Sequence, residues 1–315
     1  MESDIVIIGS TTDELIEERL KQDKITFRYR YRIFIFPDGF WKTVLKKENR
    51  KLFYQRHVKF RKNKNLYMLC ANAYGANDFN KMKVYKNKIY KWGYFLETNE
   101  YDIDELISKK EQSKKIQIIW VARFIKWKHP EVVLKLAKRL KKQGYDNFEI
   151  KMLGTGVLEE KMRKKVKKQG LSDVINIVGQ VPSDKVKNYM EKANIFIATS
   201  GNKEGWGVVV NEAMNAGCSI VANKKMGSVP FLIEDGETGY AYNSYEELET
   251  RVKQLISDDR LRARLGKSAY EFITQKWTSS IAAENLVSLF QGILNEKEME
   301  NSKGPASKAL PCRRR

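Results

Sequence analysis

From Ile116 to about residue 242 the chain alternates short apolar runs with longer amphipathic segments, and this alternation constrains the fold more than any other feature. Residues Ile116 to Ala122, Phe148 to Leu153, Val174 to Val178, Asn194 to Ser200 and Cys218 to Ala222 are strand-sized and continuous in apolar character. Such runs suit strands buried on both faces. Between the first two, Pro130 sits where a helix would start, Val132, Val133, Leu136 and Leu140 fall on one helical face, and Gly144 supplies a stop. Val157 to Lys168 reads as the next helix, and Ser183 is placed to cap another running to Lys192. Strands separated by helices pair in parallel, and repeated crossovers of one hand predict a doubly wound sheet. Beyond it, Tyr245 to Ile256 (capped by Ser244), Arg260 to Trp277 and Ile281 to Leu294 read as helices.

The first hundred residues are less regular. Asp4 to Ser10 reads as a buried strand entering a turn, Asp13 to Lys21 has helical spacing, and Asn65 to Ala71 and Lys88 to Phe95 read as strands. In Phe27 to Trp41, Arg28, Arg30 and Arg32 alternate with Tyr29 and Tyr31. Aromatic and basic residues in alternation can stack nucleic-acid bases, but an ordinary half-exposed strand is the simpler reading. Glu97 to Lys115 is polar and highly charged, as an interdomain connection would be, and Asn301 to Arg315 lacks any apolar period and is expected to be disordered.

Composition narrows the class. A chain of 315 residues with 42% hydrophobic content can build one large or two ordinary cores. No apolar run is long enough to span a bilayer, and the N-terminus has no secretory signal pattern. Three cysteines, Cys70, Cys218 and Cys312, with no CxxC pair, fit a reduced cytoplasmic protein. Lys and Arg total 59 against 39 Asp and Glu, a net charge of +20 that favours anionic partners. An anionic membrane surface is one such partner, placing the protein peripherally at an inner membrane face. Nucleic acid is a weaker candidate, because the charge is spread along the chain and no recognition module is visible.

The chemistry concentrates in Glu204-Gly205-Trp206-Gly207-Val208-Val209-Val210-Asn211-Glu212, two carboxylates separated by seven residues between a strand and a helix. Glycines let a phosphate approach the backbone, and the following helix start directs N–H groups at it. In such sheets ligands sit beyond the carboxyl ends of the strands. Three other stretches belong at that edge: the turn with Arg123 and Lys128, then Gly154-Thr155-Gly156, then Gly179-Gln180-Val181-Pro182.

This set resembles the donor site of retaining GT-B glycosyltransferases of family 4, the E-x7-E group, of the bacterial polysaccharide-assembly type. The resemblance covers residues 116–295. It implies an α/β GT-B fold of two Rossmann-like doubly wound domains. It implies transfer of a sugar from a nucleotide diphosphate sugar to a glycan or lipid-linked acceptor, with retention, by a hexosyltransferase in polysaccharide or glycoconjugate biosynthesis. By the same resemblance Arg123 and Lys128 hold the diphosphate, Glu204 lies by the transferred sugar, and Glu212 binds the ribose hydroxyls. Gly154 and the backbone from Gly205 through Trp206 and Gly207 to Val208 meet sugar or diphosphate, and the backbone at Val181 meets the base. No cofactor or metal is expected, because paired cations take the place of Mg²⁺. Two positions depart from the pattern: His129 stands where glycine usually follows the lysine, and Trp206 where phenylalanine is commoner.

The implied organisation is a partial acceptor-side domain over 1–97, a linker over 98–115, the donor domain over 116–280, a C-terminal helix over 281–297 and a disordered basic tail over 298–315. A full Rossmann-like acceptor domain takes about 150 residues, so the N-terminal one is read as incomplete. His57 has no match to the catalytic-side histidine of relatives and reads as a surface residue. Two alternatives remain open: a nucleotide-sugar-binding remnant with impaired turnover, and a charge-driven nucleic-acid-binding protein.

Overall fold

The computed structural model describes residues 4–9, 13–30, 58–81, 83–297 and 303–312. Residues 31–41 of the aromatic stretch, His57 and the last three arginines lie outside the described residues. The chain forms two compact units, one made of residues 1–95 and 279–315, the other of the continuous segment 96–278.

In the first unit, β1 (Ile5–Ile8), α1 (Asp13–Lys21), β2 (Ile25–Arg30), β3 (Leu66–Cys70), α2 (Gly75–Lys81) and β4 (Ile89–Lys91) follow one another. The strands lie side by side in chain order and in parallel, with Ile5 opposite Ile25, Thr26 opposite Leu66 and Met68 opposite Ile89. Alternation along β3 serves two cores. Leu66, Met68 and Cys70 join Ile16 of α1 and Phe79 of α2, whereas Leu69 joins Phe27 and Tyr90 on the other face. The half-exposed strand expected from Phe27 onward is not found in its described part. Phe27 and Arg28 are both fully buried, because β2 runs between β1 and β3 in a sheet covered on both faces.

In the second unit, α3 (Ile103–Glu111) precedes β5 (Ile116–Val121), α4 (Pro130–Lys142), β6 (Phe148–Leu153), α5 (Glu159–Lys168), β7 (Ile175–Gly179) and α6 (Ser183–Met190). Then come β8 (Ile195–Ala198), α7 (Val209–Asn215), β9 (Ser219–Asn223), α8 (Val229–Leu232), β10 (Tyr240–Tyr242), α9 (Tyr245–Ser257) and α10 (Asp259–Gln275). The strand order is β10-β9-β8-β5-β6-β7, with every neighbouring pair parallel. Val133, Leu136 and Leu140 of α4 and Met162 of α5 pack with Ile118, Trp120, Ile150 and Met152 on one face. Pro130 opens α4 as the sequence predicts, and the Ser244 hydroxyl accepts the Glu247 N–H at 3.1 Å to cap α9. Ser183 does not act as a cap. It is already the first residue of α6, and Pro182 holds the capping position without a side-chain bond.

The segment expected to be a linker is part of this unit. Asp102 caps α3 by accepting the Glu105 N–H at 3.0 Å. Lys110 is only 4% exposed and donates to the carbonyls of Met190, Ala193 and Ala216, near the C-terminal ends of α6 and α7. A cation suits the negative end of a helix dipole, although burial still pulls this ammonium's pKa below the usual lysine value. Arg262 of α10, 2% exposed, pairs with Glu111 and Asp259. A buried charge that loses its partner is strongly destabilising, so both contacts fix α3 to the core of the second unit.

The chain then returns to the first unit through α11 (Ser279–Leu294), whose Leu286 and Leu289 share the core of Phe27. The tail is not disordered over its described part. The Lys91 N–H donates to Ser307 O at 2.8 Å, and the Ala306 and Ala309 N–H groups donate to Lys91 and Ile89 carbonyls at 2.8 and 2.9 Å. An edge strand leaves a row of backbone groups unpaired, and this antiparallel segment satisfies the edge of β4. Among the described residues no helix is long and apolar enough to cross a membrane.

Deleting residues 303–315 is expected to lower the stability of the first unit by roughly 3 kcal/mol, about 1 kcal/mol for each lost backbone hydrogen bond. Urea unfolding followed by circular dichroism checks this. An unchanged midpoint would show that the strand-like tail contributes nothing.

Candidate functional site

The six-stranded sheet reverses its order at β5. The chain builds β6 and β7 on one side of it, then crosses back to place β8, β9 and β10 on the other. The loops leaving β5 and β8 therefore diverge, and the gap between them at the strand ends is where such sheets hold ligands. The loop after β5 spans 122–129 and the loop after β8 spans 199–208. Together they carry Arg123, Lys126, Lys128 and Lys203 against a single carboxylate, Glu204.

Lys128 and Glu204 meet across this gap in an ion pair, with side chains 14% and 18% exposed. The loops are also joined through uncharged groups. The Thr199 hydroxyl donates to the Lys128 carbonyl and accepts from Trp120 Nε1 at 2.8 Å, and the Gly201 N–H donates to Trp127 O at 3.2 Å. His129 takes left-handed backbone angles, φ +51 and ψ +51. A glycine adopts this conformation freely and a histidine at a modest cost, which accounts for the glycine usual at this place in the E-x7-E group. Gly201 makes room for the substitution, since a Cβ there would lie 3.2 Å from the imidazole Nε2.

Arg123 is exposed, with its guanidinium carbon 5.9 Å from the centre of the Trp127 ring, and Lys203 Nζ stands at the same distance from that ring. Neither Trp127 nor Lys203 was singled out by the sequence. One lysine among many in a basic chain carries no signal until the fold sets it beside Arg123's neighbour.

Gly154 and Gly156 serve loop packing. Gly154 has φ +123, and a Cβ would fall 2.1 Å from Ala122 O. Gly156 has φ +154, and a Cβ would fall 2.7 Å from Phe124 O. The Phe124 N–H donates to Thr155 O at 2.9 Å, so the Gly-Thr-Gly turn lies directly on the backbone that carries Arg123. The Gly154 N–H also donates to Gly179 O at 2.8 Å, drawing the half-buried Val181 turn alongside.

Within the Glu204–Glu212 segment the two glycines differ. Gly207, at φ +92, is hemmed in by Met226, whose Cε would be 2.4 Å from a Cβ. A Cβ on Gly205 would meet nothing within 4 Å. The Trp206 indole is 4% exposed and stacks on Trp277 with ring centres 5.8 Å apart, so of the two roles open to this side chain, packing or sugar contact, it packs. Its Nε1 donates to Asn211 Oδ1 at 2.9 Å. The side chain anchors the loop from below, because the aromatic group between two glycines turns into the core.

Glu212 projects from α7 into a separate recess of about 300 Å³, lined also by Asn99, Tyr101, Ser183, Val186 and Lys187. Its carboxylate is open to solvent on one side, yet the concave walls strip away enough water to raise its pKa above the usual carboxylate value. The structure thus brings Lys128 and Glu204 into contact, stacks the turns of Arg123, Gly154 and Val181 on one another, and sets Glu212 in its own concavity.

Replacing Gly154 by alanine is expected to cost about 3 kcal/mol, because strained backbone and a backbone clash coincide. Thermal unfolding should show a marked fall in the midpoint. A variant as stable as the parent would overturn this packing role.

Comparison with known proteins places the chain. The family described as glycosyl transferases group 1 matches residues 102–272. The putative colanic acid biosynthesis glycosyltransferase WcaL of Salmonella typhimurium is 30% identical over 195 residues, covering 59% of this chain and 47% of that protein. The amylovoran biosynthesis glycosyltransferase AmsK of Erwinia amylovora is 32% identical over 130 residues, covering 40% of this chain and 31% of the relative. The chain thus spans about half or less of the length of these relatives. In fold it is similar to Anabaena Alr3699/HepE, solved in complex with UDP, with a TM-score of 0.67, 16% identity, and coverage of 90% of this chain and 78% of that one. It is likewise similar to WaaG, a glycosyltransferase of lipopolysaccharide biosynthesis, with a TM-score of 0.61, 14% identity, and coverage of 91% and 85%. These likenesses identify the architecture as α/β of the Rossmann-like GT-B type. With the family match extending over more than half of its residues, the chain belongs to the glycosyl transferases group 1 family.

Proposed function

We propose that the protein transfers a sugar from a nucleotide diphosphate sugar to a glycan or lipid-linked acceptor in polysaccharide biosynthesis, with retention of configuration. The observation that carries this reading is the Lys128–Glu204 pair at the point where the strand order reverses, with Arg123 on the same loop. In the free protein Glu204 holds the Lys128 ammonium at the strand ends. When a diphosphate enters, the ammonium turns to it and the carboxylate is released to orient sugar hydroxyls. Cleavage of the glycosidic bond leaves growing negative charge on the nucleoside diphosphate, and fixed cations stabilise that charge as it develops. Glu212 accepts hydrogen bonds from the ribose hydroxyls, and the nucleobase occupies the recess near Ser183 and Val186. The acceptor hydroxyl attacks from the face the leaving group departs, with a phosphate oxygen taking its proton. The names of the relatives, which concern colanic acid and amylovoran synthesis, support a polysaccharide product.

Calorimetric titration with UDP, GDP and ADP, and with UDP-glucose and GDP-mannose, in EDTA, tests the donor site. One base is expected to bind selectively. Arg123→Ala and Glu212→Ala should each weaken it tenfold or more, as loss of a charged hydrogen bond costs about 1.5–3 kcal/mol. Absence of binding by any nucleotide, or full affinity in Glu212→Ala, would overturn the assignment. Sugar transfer to an acceptor is a separate readout.

The raised pKa of Glu212 gives this site a pH signature. Its ionised form is the one that accepts the ribose hydroxyls, so nucleotide affinity is expected to fall on acidification with a midpoint above the usual 4.5 of a glutamate. The effect on folding has the opposite sign. A carboxyl whose folded pKa lies above its unfolded value stabilises the fold most at low pH, and that contribution is lost as pH rises through the folded pKa. A binding midpoint at or below 4.5 would separate Glu212 from the ligand.

A further inference from the structure

After β7 the chain must cross two strands, β6 and β5, to begin β8. On the face opposite α4 and α5, the helix that makes this crossing is α6, which has eight residues. One short helix cannot cover two strands, and a recess of about 420 Å³ remains between it and the sheet. Ile118 and Ile150 belong to the core beneath α4 and α5. Gln117, Ile119 and Lys151 have the opposite parity, so they face the recess. From the helix side come Lys185, Asn188 and Tyr189, with Lys192 just past its end, a spacing that keeps all four on one side.

The recess lies at the amino end of the sheet. Gln117 is the second residue of β5, and Lys192 and Ala193 precede β8, whereas Lys128 and Glu204 stand at the carboxyl ends. It is therefore separate from the donor site and does not depend on the nucleotide reading. Three ammonium groups border it. Lys151 Nζ donates to Gln117 Oε1 at 2.9 Å and is 3.8 Å from Glu149. Lys185 is 3.6 Å from Asp184. Both carboxylates stand beyond hydrogen-bond length, and Lys192 has no ion-pair partner among the described residues. Beside the cations lie a half-buried aromatic ring, Tyr189, and the amides of Gln117 and Asn188, above the buried Ile119.

We propose that this recess is a second binding site, for an acidic sugar unit of a polysaccharide. The chemistry divides among the groups present. Lysines pair with a carboxylate or phosphate on the sugar, amides bond its hydroxyls, and the tyrosine ring receives the apolar face of the pyranose. Free inorganic phosphate shares only the first of these contacts. A glycan held here is anchored away from the reacting end of the site, so a growing acidic polymer is retained between transfers.

The test is calorimetric titration of the whole protein with a hyaluronan hexasaccharide, maltohexaose and sodium phosphate. The acidic hexasaccharide is expected to bind and neutral maltohexaose not to. The double variant Lys185→Ala/Lys192→Ala should weaken binding about tenfold, and Tyr189→Ala should weaken it also. Lys151→Gln is a third variant with independent reach into the recess. Circular dichroism confirms that each variant folds, and UDP titration is expected to be unaffected by all of them. Because the whole chain is basic, Lys164→Ala/Lys168→Ala on α5, the opposite face, is the control and should leave binding unchanged. Equal loss in that control would reduce the effect to diffuse charge and overturn the proposal. So would failure of the acidic hexasaccharide to bind, binding of maltohexaose with the same affinity, or phosphate binding as tightly with no effect of Tyr189→Ala.

Discussion

The pairing of β5 on both its edges underlies everything else in the larger unit. Ile118 stands opposite Ile150 of β6 on one side and opposite Ile195 of β8 on the other. A shift of one residue in either register would turn buried side chains to the wrong face. It would also carry the 122–129 loop away from the 199–208 loop. Trp120 adds a lock at the end of the strand, because its indole N–H reaches the Thr199 hydroxyl just after β8. The charged pair above it therefore rests on an apolar sheet whose register leaves the two loops no freedom to separate.

The fold of the larger unit was legible because its signal is periodic. Continuous apolar runs for strands, the Pro130 start and Gly144 stop, and the Ser244 cap each follow from local rules, and the structure contains the elements they announce. The site was legible to the extent that topology decides it, since parallel strands must end at one edge. The packing of Trp206 was not legible in the sequence, because only the positions of Phe231 and Trp277 reveal the aromatic pocket that takes it. The polar run before β5 looked like a linker because its two anchoring groups are charged. Nothing local marks Lys110 as destined for three buried carbonyls, or Glu111 for Arg262. The tail failed for a similar reason: Ala306 to Ala309 have no pattern of their own and gain order from the open edge of β4.

Glycine and charge divide the work at the strand ends. Gly154 and Gly156 exist to let one loop backbone rest on another, and Gly207 to let Met226 close over the turn. These positions set the geometry of the turns. The cations of the neighbouring loops then need little further support to converge on one place. The same economy explains how His129 is tolerated, since the strain sits in the backbone while the loop it belongs to is fixed at both ends.

The smaller unit is discontinuous: strands β1 to β4 come from the start of the chain, and α11 with the strand-like tail from its end. During synthesis the segment 96–278 emerges as an uninterrupted piece with its whole core, whereas the earlier strands must wait for Leu286, Leu289 and Ala306 to cover Phe27 and Tyr90. Domains fold as units when their residues become available. The discontinuous unit therefore completes only after the continuous one, and until then Phe27 and Tyr90 lack the cover that α11 and the tail supply.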